Sequence, residues 1–293
     1  MTPFAEDPNF AAENRDPAFG RGPAAVSSAD SEPAANSGTA LSVPLAPVET
    51  PRDPAWTALD VIRIVLMTIL AFVLVFIGLT VLVAGHTFRA RLNGLSVHLG
   101  LQIIGQMFVY VVIFGYMYVL VTRERHQPKF WQAMHWNWPT AVWIFPAIGI
   151  FLQVVFLIFE RFLTFPKEVP FDAIFRQPLT ILLVSVFSIT LGPLMEEMFF
   201  RGFFYPVVRR HMGVATAILA TALPFALMHA AQYGYSWASI LLIFIVGVVL
   251  AAVREYRDSL AASFLVHVGY NGTIILLLFV GTDGFRHLEK LQQ

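Results

Sequence analysis

From Asp60 onward the chain is a series of long apolar runs separated by short polar breaks. Residues 64–85 carry no charge, and about 20 apolar residues at helical rise suffice to cross a bilayer. Residues 99–121 form a second such run. Pro139 opens a third, reaching Phe159, with Trp136, Trp138 and Trp143 at its start. Tryptophan gathers at the membrane–water interface, which supports that boundary. Residues 160–177 mix charges with Phe162, Phe165, Phe171 and Phe175 and are predicted to lie along the interface. A fourth run, 179–208, is closed by Arg209 and Arg210. Runs at 213–231 and 235–253 follow, then a charged loop with Arg254, Glu255, Arg257 and Asp258, and a last run at 260–280. The pattern predicts an all-α polytopic transmembrane bundle of about seven spans, without an internal repeat.

The first 55 residues differ. They hold half of the chain's 18 prolines, eight acidic and three basic residues, and no apolar periodicity. Such a segment cannot bury enough surface to offset its ordering entropy, so a disordered acidic tail is expected, followed by a transmembrane domain over 56–293. Composition agrees: 57% of residues are hydrophobic and 13% charged, about half the charged share of an ordinary soluble domain. Zero cysteines exclude disulfides, thiol nucleophiles and Cys-ligated zinc. A formal net charge of zero offers no basic field for nucleic acid. No cleaved signal peptide is expected, since no basic stretch followed by an apolar one opens the chain. Arg123, Arg125, Lys129, Arg209, Arg210, Arg254 and Arg257 fall on the N-terminal side of the membrane. Arg89, Arg91, Arg161, Lys167, Arg176, Arg286 and Lys290 fall opposite. With the tail's arginines added, the positive-inside rule favours a cytoplasmic N-terminus in the cell's inner membrane. Oligomeric state is not legible.

Against this apolar background a few residues stand out. Glu196, Glu197 and Arg201 lie in the fourth span, His229 in the fifth, and His267 and Asn271 in the last. A charge at mid-membrane costs about 2.5–3.5 kcal/mol on the insertion scale, so intramembrane ionisable residues are functional candidates by default. Their depths match. Measured from the Arg209–Arg210 face, Glu196 lies roughly 21 Å deep, His229 roughly 24 Å, His267 roughly 14 Å and Asn271 roughly 20 Å. Glu197 and Arg201 are four residues apart and can pair. Glu196 is turned about 100° from Glu197 and is left to face a cavity. A second assignment exchanges the two glutamates. A free carboxylate beside an imidazole in a dry pocket suits activation of water. A second histidine and an asparagine supply the donors that a tetrahedral oxyanion needs. Together they suit hydrolysis of an amide bond within the membrane.

At these residues the chain resembles the CAAX protease and bacteriocin-processing (CPBP, or Abi) family of intramembrane proteases, the type II CAAX prenyl endopeptidases among them. That family's pattern is E-E-x-x-x-R, F-x-x-x-H and H-x-x-x-N. Here it reads Glu196–Glu197–Met–Phe–Phe–Arg201, Phe225–Ala–Leu–Met–His229 and His267–Val–Gly–Tyr–Asn271. Phe200–Arg201–Gly202 also fits, and the resemblance spans about 175–280. It implies a helical membrane endopeptidase in which Glu196 and His229 activate water while His267 and Asn271 hold the oxyanion. It also implies a membrane-associated peptide or protein substrate, of the prenylated CAAX type in eukaryotic relatives. No cofactor is expected. The alternative is zinc on Glu196, His229 and His267 with an open position, although the H-E-x-x-H spacing is absent.

Two other functions compete. Buried Glu and His also build transporters and proton relays, but here they cluster instead of forming a path. A non-catalytic scaffold of the same fold, such as a bacteriocin-immunity module, would retain the bundle without cleavage. Structural roles are expected elsewhere: His98, Gln102 and Gln106 as helix–helix contacts, His86, His126, His135, His211 and His287 in loops, and Phe199, Phe200, Phe203 and Phe204 as packing or lipid-facing surface.

Overall fold

A computed structural model describes residues 54–82, 99–166 and 178–287. All of these fall in one of the chain's two units, Thr50–Gln293. The predicted tail up to residue 53, His86, His98, most of the predicted interfacial loop and the last six residues lie outside them. The described residues are helical with connecting turns and contain no strand.

Helix α1 is Ala58–Leu82, α2 Leu99–Val119, and α3 Ile144–Phe159. The fourth pass is composite: α4 Pro178–Ile189, α5 Leu191–Glu197, a π-helical segment Met198–Phe204, and α6 Tyr205–Met212. Three helices complete the bundle: α7 Val214–Met228, α8 Trp237–Arg257 and α9 Leu260–Gly281. Six passes among the described residues are long and apolar enough to cross a membrane, and α7, at 15 residues, is too short. The protein is thus a polytopic helical membrane protein. Lipid-facing positions are apolar and exposed, as at Leu66, Leu70, Leu74 and Ile77 on α1.

Several boundaries differ from the hydropathy pattern for identifiable reasons. The third run begins at Pro139, yet α3 starts at Ile144 after an irregular, tryptophan-rich stretch. Trp138 and Trp143 are exposed there, and Trp136 packs against Trp131 and Trp138 in T-shaped, edge-to-face pairs. The fourth run is broken at Thr190. Pro193 has no N–H to offer, and its ring would clash with the carbonyl of Ile189 in a continuous helix. Thr190 leaves helical geometry (φ −117°, ψ −88°), and its hydroxyl donates to the Val186 carbonyl at 2.6 Å. Serine caps start the last two helices: Ser236 accepts from the Ser239 N–H and Ser259 from the Ala262 N–H.

Small residues set the closest helix approaches. Gly149 on α3 lies against the backbone of Val266 and Tyr270, and Gly269 on α9 lies against Pro146. A Cβ at either glycine would fall inside the partner's backbone. Gly247 on α8 similarly admits Ala222 of α7, 3.0 Å from where its Cβ would be. Without a hydrophobic drive between helices in lipid, such close packing is a main source of association.

Gly149→Leu should therefore separate α3 from α9 and lower stability by about 1–3 kcal/mol. Thermal unfolding in detergent measures it, and an unchanged melting curve would refute the close approach.

Candidate active site

The Glu197 carboxylate is fully buried and shared among three donors. Arg201 Nη1 donates to Oε1 at 3.0 Å, His267 Nδ1 lies 3.0 Å from the same oxygen, and the Ser263 hydroxyl donates to Oε2. Arg201, also fully buried, donates through Nη2 to the Gly247 carbonyl at 3.0 Å and lies 4.4 Å over the Phe225 ring. One carboxylate thus connects α5 to α9 directly, and through Arg201 to α8 and α7. A buried ion pair of this kind depends on such further hydrogen bonds, and Arg201 Nε alone of its nitrogens is left without a partner.

The π-helical segment carries Arg201. Its wider turn leaves backbone carbonyls in altered positions, and such segments recur at functional sites. Trp56 Nε1–H donates to the Phe203 carbonyl at 3.1 Å, with the two rings 4.8 Å apart. Arg210 donates to the carbonyls of Pro54 and Trp56. The residues just before α1 are therefore fastened to the segment that presents the arginine.

Glu196 points away from this pair and lines a cavity of about 550 Å³. His229, His267 and Asn271 line the same cavity. Glu196 Oε2 lies 3.6 Å from His267 Nε2. His267 is thus held between two glutamates; because the Glu197 carboxylate can only accept, its Nδ1 carries the proton. No ion pair joins Glu196 to His229. His229 ends α7, and its Nδ1–H donates to the Phe225 carbonyl at 2.9 Å. In the neutral ring this leaves Nε2 as an acceptor. Asn271 donates through Nδ2 to the Ser188 carbonyl at 2.8 Å, which joins α9 to α4. The short α7 explains His229's place: 16 residues from Gly213 bring the chain roughly 24 Å in, and the helix stops there. Irregular backbone at that depth is tolerated where it lines a cavity.

Several residues around the site carry no signal in the motif pattern. Ser263, the buried donor to Glu197, could have been found, since it lies one turn before His267 on the same face. Gln106, expected as a helix–helix contact, lines the cavity and donates to the Tyr110 hydroxyl at 3.4 Å. Gln153 and Ser185 also line it, and nothing in their spacing marks them. Phe200 and Phe203 are buried packing residues and do not face lipid. Among the described residues no three His, Asp or Glu side chains converge in a way that could hold a metal. Of the three residues considered for zinc, His267 and Glu196 approach to 3.6 Å, and no ion pair joins Glu196 to His229.

Residues 178–273 match the family model for Rce1-like: Type II CAAX prenyl endopeptidase Rce1-like. All three motifs fall within the matched segment, and the resemblance drawn from the sequence is borne out. No curated protein and no solved structure matches the chain.

Arg201→Met should destabilise the protein by about 3–5 kcal/mol, because it strands the Glu197 charge in the bundle. Adding Glu197→Gln should recover part of that loss. Melting temperatures of the wild type, both single variants and the double variant test the coupling; strictly additive losses would sink it.

Proposed function

We propose, from the match of residues 178–273 to the type II CAAX prenyl endopeptidase family model, that this protein is an intramembrane endopeptidase working without a metal. The observation that carries the reading is the division of labour between adjacent glutamates. Glu197 is consumed by Arg201, His267 and Ser263, whereas Glu196 faces a cavity that also holds His229 and Asn271.

In this reading a water sits between the Glu196 carboxylate and the acceptor nitrogen of His229. Glu196 takes one proton as the water oxygen adds to the scissile carbonyl carbon. The carbonyl π pair moves onto oxygen, and the Asn271 amide donates to that oxyanion through the N–H not bound to Ser188. Collapse breaks the C–N bond, and the proton held by Glu196 passes to the leaving nitrogen. His267, placed between the glutamates, orients Glu196 and adds donor capacity if it carries a second proton. This differs in emphasis from the role the resemblance implies, in which His267 holds the oxyanion beside Asn271.

The substrate proposed is a membrane-associated peptide of the prenylated CAAX type. Apolar cavity walls such as Leu157, Ile181, Ile274 and Leu278 suit a lipid-bearing residue. The proposal includes a cytoplasmic N-terminus, which the basic residues on that side support.

Cleavage of a farnesylated CAAX peptide by purified protein in detergent tests the reading. Glu196→Gln should lower kcat by about 10²–10⁴, the usual worth of a positioned base. Asn271→Ala should lower it by about 10²–10³. Chelator should leave the rate unchanged. Full activity in Glu196→Gln would refute the assigned base, and abolition by chelator, restored by zinc, would refute the metal-free route.

A further inference from the structure

Two buried polar atoms in the cavity wall have no hydrogen-bond partner: the side-chain carbonyl oxygen of Gln153 on α3 and the hydroxyl of Ser185 on α4. Each residue is only 6% exposed. Leaving such groups unpaired is costly, so they are kept where a ligand completes them.

Their place in the bundle is definite. Ser185 lies three residues before Ser188, whose carbonyl receives the Asn271 amide, so it sits about one turn, or roughly 5 Å, from that contact. Gln153 lies four residues beyond Gly149, on the same face of α3, and Gly149 touches the backbone of Val266 and Tyr270. Both groups therefore occupy the layer between the Glu196–His267–Asn271 cluster and the apolar walls at Leu157, Ile274 and Leu278. An isoprenoid or acyl chain has no N–H to give Gln153. A peptide main chain does, and at about 3.3 Å per extended residue roughly 5 Å reaches an amide one or two residues from the scissile bond.

We propose that Gln153 and Ser185 are substrate-binding residues that hold the peptide main chain one to two residues from the cleaved bond, Gln153 accepting an amide N–H and Ser185 bonding a neighbouring carbonyl. The inference rests on the peptidase reading, deepening it by naming the group recognised. It makes the cavity selective for an extended peptide carrying a lipid over a lipid alone.

The test uses full-length protein, a fluorescent farnesylated CAAX peptide, and two analogues N-methylated at the amide one or two residues from the scissile bond. Peptide affinity is read by anisotropy and cleavage separately. Gln153→Leu should weaken binding and raise KM about threefold to tenfold, with kcat within twofold. Ser185→Ala should act in the same direction. One of the N-methylated peptides should show the same loss against wild type and no further loss against Gln153→Leu. The variant should melt at or above the wild-type temperature, since it removes an unpaired buried oxygen; Gln153→Met serves if the branched side chain packs badly. Unchanged affinity, additive losses with both N-methylated peptides, or equal weakening toward farnesol alone would each overturn the proposal. Wild type that binds peptide without cleaving it refutes the peptidase reading, while an affinity loss in Gln153→Leu would still support main-chain recognition. Wild type that does neither overturns both.

Discussion

One buried carboxylate organises the half of this bundle that holds the candidate site. Glu197 has no access to solvent and survives as an anion by accepting from Arg201, His267 and Ser263 together. Arg201 in turn needs the Gly247 carbonyl and the Phe225 ring face. Replacing any member leaves another unpaired in a medium where no water can substitute. Four helices are therefore held in register by a single network. The neighbouring Glu196 takes no part in this network and faces the cavity.

Departures from regular helix occur beside the candidate site. The fourth pass breaks at Thr190, resumes for two turns to present the glutamates, and widens into a π-helical segment to present Arg201. Helix α7 stops short at His229. Each irregularity frees or redirects backbone groups that protein donors then occupy, as with Trp56 on the Phe203 carbonyl and Asn271 on that of Ser188. A helix unbroken across the membrane would keep every carbonyl to itself and offer no such anchor.

The passes and the depth of the polar residues were legible in the sequence because both depend on counting residues along one axis. Hydropathy marks where a helix enters lipid, and a rise of 1.5 Å per residue carries that mark inward to Glu196, His229 and Asn271. Which side chains meet across helices is a matter of azimuth and helix order, which counting does not supply. So the 3.6 Å approach of His267 to Glu196, and the absence of an ion pair with His229, required coordinates. Gln153 and Gln106 were obscured for a related reason: a lone amide in an apolar span reads the same whether it faces a neighbour or a cavity. Irregular starts such as residues 139–143 were hidden because an apolar, tryptophan-rich turn has the hydropathy of a helix.

The π-helical segment also stores a phase. Met198–Phe204 accommodates an extra residue that a plain helix of the same rise would not hold. Deleting one residue there would leave the composition of the pass almost untouched, and the segment would close into a plain α-helix with Tyr205–Met212 still in phase. The bonds of Arg209 and Tyr205 to Glu255 would then survive. A change of length elsewhere in the pass has no such slack and would turn the following helix by about 100° per residue about its axis. Length variation in the fourth pass is thus constrained by angular registration and not by hydrophobicity, and a hydropathy plot would not show it.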